Sequence, residues 1–163
     1  MNRKRSLGQN FFNNLNLAKK IVDITCSTSP KLVVEIGPGD GFFTDLLAQR
    51  SNAVVAIEKD DELAELLAVK LKGVEVINKD FLELDLNSLP IVSGETVCFG
   101  SLPYNVSKRI IEKLLTSGTT IREYYFIIQK EVAQKYIMTE SDTSILSVAT
   151  KLFADSELLF DIS

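Results

Sequence analysis

Lys31-Leu32-Val33-Val34-Glu35-Ile36-Gly37-Pro38-Gly39-Asp40-Gly41 decides the fold of this chain. Its first six residues form an apolar run of the kind that parallel sheets bury on both faces. Gly-Pro-Gly-Asp-Gly stops the run, and residues 42–50 resume with helical spacing. A strand, a glycine turn and a helix in that order make the first half of a βαβ unit. Glycine lets such a turn adopt positive φ and lets the backbone approach a ligand closely.

The same alternation continues outward. Residues 15–24 carry apolar side chains at helical spacing and read as a helix entering the domain. Residues 53–57 are a second apolar strand, ending at Glu58. Residues 60–71 form an acidic-fronted helix that Gly73 ends, and residues 74–77 are a third strand. A fourth strand over 96–100 follows a loop containing Pro90 and Gly94. Ser107 is a candidate cap for the helix running through Leu115. A fifth strand is expected over 124–128, helices over 130–138 and 143–153, and a sixth strand over 158–162. Strands alternating with helices of about 10–12 residues imply an α/β architecture, a doubly wound, mainly parallel, Rossmann-like sheet. No repeat or linker divides residues 1–163, which read as one domain with an N-terminal arm over about 1–14.

Composition narrows the chemistry. At 45% hydrophobic and 25% charged, the 163 residues have the balance of a water-soluble globular domain. No apolar run reaches the roughly 18 residues that span a bilayer, and the basic start lacks the apolar stretch of a secretory signal. A cytoplasmic location and no membrane partner are expected. The chain has no histidine, which removes Ser-His-Asp and Cys-His catalysis and most zinc sites. Cys26 and Cys98 are far apart and form no ligand pair, so no metal is expected. The net charge of −4 gives the chain as a whole no attraction to nucleic acid. Local basic groups remain (Arg3, Lys4, Arg5; Lys19, Lys20; Lys108, Arg109, Lys113) and read as solvated surface charge.

The candidate site lies where open α/β sheets place ligands, at the carboxyl ends of the strands. A dinucleotide loop would read G-x-G-x-x-G, with pyrophosphate at the helix N-terminus. Here the spacing is G-x-G-x-G, position 42 is Phe, Glu35 lies inside the strand end, and Asp40 sits where a pyrophosphate disfavours negative charge. The loop suits a ligand with a cationic centre and no phosphates. Glu58, ending the second strand, can accept both hydroxyls of a ribose. Asp80, after the third strand, can accept from an adenine amino group, with Phe81 beside the ring. Together these residues describe a pocket for S-adenosylmethionine. At the fourth strand's end, Ser101-Leu102-Pro103-Tyr104 sets a short polar side chain, a rigid turn and an aromatic ring. That grouping suits a flipped, amine-bearing base.

At this point the chain resembles the ribosomal RNA adenine N6,N6-dimethyltransferases, class I methyltransferases with a KsgA branch and an Erm branch. The matching stretches are Leu7-Gly8-Gln9-Asn10-Phe11-Phe12, Glu35-Ile36-Gly37-Pro38-Gly39, Glu58, Asp80, Ser101-Leu102-Pro103-Tyr104-Asn105-Val106-Ser107 and Gln129-Lys130-Glu131-Val132-Ala133. The first and last favour the KsgA branch. The resemblance implies methylation of adenine N6 in small-subunit ribosomal RNA, with the RNA or a small-subunit precursor as partner. It implies that Asn10 and Phe12 close over the methionine end of the cofactor, and that Gly37 contacts the cofactor's backbone. It also implies that Ser101 and Tyr104 hold the target adenine.

Two departures stand out. The family usually has Asn where Ser101 stands. Family members also continue into a seventh, antiparallel strand and a helical domain, which this chain is expected to lack. Two other readings stay open: a non-catalytic RNA- or ribosome-binding relative that retains the pocket, and a methylase of DNA adenine or of a small molecule.

Overall fold

The computed structural model describes residues 14–137 and 144–162. Five strands, β1 (Leu32–Ile36), β2 (Val54–Glu58), β3 (Glu75–Asn78), β4 (Thr96–Ser101) and β5 (Glu123–Ile127), form one sheet in the order β3-β2-β1-β4-β5. All four pairings are parallel, with Val34 opposite Val55 and Cys98 at the centre. The sheet is doubly wound, because the order runs outward from β1 in both directions. Every residue of β1 and β2 is buried, as expected of central strands covered on both faces.

Side-chain alternation divides the core. Leu32, Val34, Ile36, Val55, Ile57 and Cys98 face a cluster completed by Ile110, Ile111 and Leu114 of α4 (Ser107–Thr116). Val33, Val54 and Phe99 face the opposite cluster, with Ala18, Ile21 and Val22 of α1 (Leu15–Thr25) and Phe43 and Leu47 of α2 (Phe42–Ala48). The Asn14 side chain caps α1. Asp60 caps α3 (Asp61–Lys70) by accepting from the Glu62 and Leu63 amides.

Four expectations are corrected. Residues 158–162 form no strand. They make no ladder bonds with the open edge of β5, and are held by Phe160, which packs on the α1–α2 core, and by a 2.5 Å Lys130–Asp161 ion pair. A strand exists only where its backbone groups pair, and apolar content alone does not supply the pairing. Ser107 does not cap α4. It is the first helical residue, Val106 holds the cap position, and the Ser107 hydroxyl turns back to the Tyr104 carbonyl. The helix expected over 130–138 is a single turn, α5 (Lys130–Ala133), continued by a tighter turn over Gln134–Tyr136. The helix expected over 143–153 is α6 (Ile145–Lys151), which starts late because Ser144 and Ser147 close a capping box.

No helix among the described residues is long and apolar enough to cross a membrane. No group of three or more metal-ligating side chains occurs among them either.

Candidate active site

Because all five strands are parallel, their carboxyl ends share one edge, and the predicted residues converge there. Glu35, Gly37, Gly39, Glu58, Asp80, Phe81, Ser101, Leu102 and Pro103 line one cleft of about 260 Å³. Tyr104 does not line it. It is 65% exposed, on the turn between cleft-lining Pro103 and Asn105. Asn10 and Phe12 lie outside the described residues.

The glycine loop is shaped by its neighbour strand. Gly37 and Gly39 hold φ of +67° and +62°, a region that side chains with a Cβ rarely adopt. The Gly37 amide donates to the Ile57 carbonyl at 3.0 Å. The Gly39 amide donates to Glu58 Oε2 at 3.0 Å, while Glu58 Oε1 accepts from the Asp60 amide at 2.9 Å. Glu58 thus ties the loop to the start of α3, and each carboxylate oxygen keeps lone-pair capacity for a further donor. Burial raises the Glu58 pKa, and the backbone amides only partly offset it. A Cβ at Gly37 would meet no protein atom within 4 Å, so the backbone there borders open cleft.

Glu35 is the most enclosed acid of the cleft, 2% exposed, between Ala56 and Phe99 in the register. Its Oε2 makes no hydrogen bond of good geometry among the described residues, and neither does the buried Thr44 hydroxyl, which is still close enough to favour the charged form. Burial pushes the Glu35 pKa up to about 8; Thr44 opposes the shift and the charge of Glu58 adds to it. A fully buried acid with one oxygen unpartnered, beside a glycine loop, suits a cationic or hydrogen-bonding ligand.

Asp80 is held from both sides. Its Oδ1 accepts from the Leu82 amide at 2.9 Å and its Oδ2 from Lys59 Nζ at 2.6 Å. Partial burial raises its pKa, but Lys59, the Leu82 amide and Arg109 outweigh that, and the carboxyl stays below its usual range. Phe81 is buried behind it.

At the end of β4, the Leu102 amide donates to the Ile127 carbonyl at 2.9 Å, which fixes the peptide following Ser101. The Leu102 carbonyl takes no hydrogen bond among the described residues. Ser101 is half-buried at the cleft wall, and its hydroxyl is likewise without a partner among them.

Sequence reasoning missed two lysines. Lys113 is not a surface charge. Its Nζ donates to the Phe81, Leu82 and Leu84 carbonyls at 2.9, 3.0 and 2.5 Å and lies 5.4 Å from the Phe81 ring centroid. It pins the loop behind Asp80 to α4. No local signal exposes that role, because the partners are about 30 residues away. Lys59 pairs with Asp80 across two strands, and its place directly after Glu58 at a strand end was the available signal.

Comparison with known proteins follows this geometry. A family model described as ribosomal RNA adenine dimethylase matches residues 1–162. Ribosomal RNA small subunit methyltransferase A of Ligilactobacillus salivarius is 37% identical over 96% of this chain and 56% of its own length. The crystal structure of the 23S rRNA methyltransferase ErmE is 29% identical and superimposes with a TM-score of 0.73, over 87% of this chain and 57% of that one. A dimethyladenosine transferase from Plasmodium falciparum shares the fold, with a TM-score of 0.69 over 88% of this chain and 52% of that one, at 23% identity. The chain spans a little over half the length of the curated relatives it matches.

Proposed function

Because the chain belongs to the ribosomal RNA adenine dimethylase family, we propose that it is the S-adenosylmethionine-binding unit of an enzyme that methylates adenine N6 in small-subunit ribosomal RNA. Residues 1–163 form the methyltransferase domain in this reading, and its location is the cytoplasm. The observation that carries the proposal is the convergence of Glu35, the glycine loop, Glu58, Asp80 and the Ser101–Pro103 turn on one cleft.

The residues divide the work. S-adenosylmethionine supplies an activated sulfonium methyl when bound. Glu58 accepts the ribose hydroxyls from a carboxylate already oriented by two backbone amides. Asp80 accepts the cofactor's adenine amine, its carboxylate kept ionised by Lys59. Glu35 faces the cationic end of the ligand. The target adenine enters from the rim, stacks on the exposed Tyr104 ring and offers its amino protons to Ser101 Oγ and the Leu102 carbonyl. Both acceptors draw the nitrogen lone pair out of conjugation and aim it in line. Orientation of this kind supplies much of the rate. Once alkylated, the nitrogen sheds its proton to water readily, so no histidine is required.

The test is calorimetric binding of S-adenosylmethionine to the chain, followed by methyl transfer to unmodified small subunits. We expect binding that Glu58→Ala abolishes, and transfer that Tyr104→Ala reduces by roughly 1–3 kcal/mol of activation, the worth of one stacked base. Absence of cofactor binding with Glu58 intact refutes the enzyme reading. Binding without transfer, even with Ser101→Asn, favours a non-catalytic relative, and transfer to free DNA alone favours a DNA methylase.

A further inference from the structure

We propose that Lys108 and Arg109, on the first turn of α4, with Lys79 beside them, form a phosphate-binding rim that docks the RNA strand delivering the target adenine. This rests on the RNA methyltransferase reading and adds to it the surface that holds the strand.

Most cations among the described residues are engaged, although Lys19, Lys72 and Lys135, none of which lines the cleft, are also exposed and unpaired there. Lys31, Arg50, Lys59, Arg122 and Lys130 pair with carboxylates, Lys70 bonds the Asp40 carbonyl, Lys20 covers the Phe160 ring and Lys113 is turned inward. Lys79, Lys108 and Arg109 are exposed and have no ion-pair or hydrogen-bonded side-chain partner among the described residues. Each lies within two residues in sequence of one that lines the cleft. Lys79 lines it, next to Asp80. Lys108 and Arg109 come after Asn105 and Val106, which line it too, with the buried Ser107 between. Arg109 is close enough to perturb both Lys59 and Asp80.

Their position opposes local stability. The start of a helix carries the positive end of its dipole, where acids stabilise and cations do not. The first turn of α4 has no acid, its cap position is Val106, and no side chain satisfies its amides. Two cations there raise an already positive field; Lys59 offsets the charge of Asp80, and Glu112 lies one turn further along α4. A chain of net charge −4 therefore presents a concentrated positive surface at the edge of its cleft. A lysine and an arginine side by side suit a phosphodiester, bound as a point charge by one and as a fork by the other. The Tyr104 ring stands between this rim and the cleft in sequence, so a strand held by its phosphates on α4 brings one base to Tyr104.

The experiment measures binding of a labelled single-stranded RNA oligonucleotide to the 163-residue chain across a potassium chloride series. Each phosphate contact on a single strand contributes about 0.7 to the slope of log K against log salt. The Lys108→Gln/Arg109→Gln double variant is expected to lower the slope by about 1.4 and leave the S-adenosylmethionine dissociation constant unchanged. Its melting temperature is expected to hold or rise, because cations leave the positive end of a helix. Lys108→Arg/Arg109→Lys should keep the slope, and Lys19→Gln, on the far helix α1, should not alter it. RNA binding with an undiminished slope in the double variant overturns this proposal and leaves the methyltransferase reading standing. A lowered melting temperature accompanying the lost slope also overturns it, since the residues would then be structural. Cofactor binding with no RNA binding by the unaltered chain at 50 mM salt overturns the RNA reading itself, and this rim with it.

Discussion

Replacing Glu35 with glutamine isolates the most enclosed ionisable group of the cleft. In the folded chain its carboxyl is 2% exposed, has one oxygen without a partner, and titrates near pH 8, against about 4.5 for a solvated glutamate. The native state therefore keeps its proton between these values while the unfolded chain loses it. Stability contributed by the protonated form is complete below about pH 4.5 and is lost progressively as pH rises toward 8. Each pH unit inside the window costs about 1.4 kcal/mol, so the group removes about 3 kcal/mol between pH 5.5 and 7.5. For a domain of this size that is roughly 6–12 °C of melting temperature.

Glu35→Gln cannot ionise, so its melting temperature should fall less over the same interval, by that amount. At pH 5.5 the variant should be the less stable protein by about 1–3 kcal/mol, because its amide brings donors with no acceptor. Towards pH 7.5 the gap should close or reverse. Glu58, whose pKa is also raised by burial, contributes to both proteins and cancels in the difference only while Glu35 stays protonated, because the two charges repel. Calorimetric unfolding at the two pH values measures it. Parallel pH dependence in the two proteins refutes the assignment of a proton to Glu35 in the empty cleft.

Two further substitutions probe the scaffold behind the site. Gly100→Ala places a Cβ 2.7 Å from Leu102 Cδ2 and 3.3 Å from the Ile36 carbonyl; overpacking of this kind costs about 1–3 kcal/mol, measurable as a denaturant midpoint, with weaker cofactor binding because Leu102 must move in the cleft wall. Lys113→Met removes the donor shared by three carbonyls of the loop behind Asp80 and should cost about 1–3 kcal/mol, with hydrogen exchange rising at residues 81–84 before the central strands.

Much of the site was legible because its residues sit at strand ends. The glycine loop announced itself by composition, and Glu58 and Asp80 by following apolar runs of strand length. Asp60, read from the sequence as the first residue of α3, caps the helix instead. Where reasoning failed, the deciding partner was remote. Lys113 looked like a surface charge because the carbonyls that hold its ammonium lie 29 to 32 residues earlier in the sequence. Residues 158–162 have strand-like composition, but the outcome rested on whether the edge of β5 would pair with them, and Phe160 docks by its ring instead.

The sequence by itself determined the alternation of strands and helices, the turn chemistry at Gly37 and Gly39, and the set of residues presented at the sheet's carboxyl edge. These depend on local periodicity and on which residues tolerate positive φ. Only the tertiary structure decided the electrostatic state of that edge. It placed Glu58 under two backbone amides, left an oxygen of Glu35 buried and unpartnered, paired Lys59 with Asp80, and gave Lys108 and Arg109 no ion pair among the described residues. Charge interactions fall off with distance and depend on burial, and neither quantity exists until the strands are side by side.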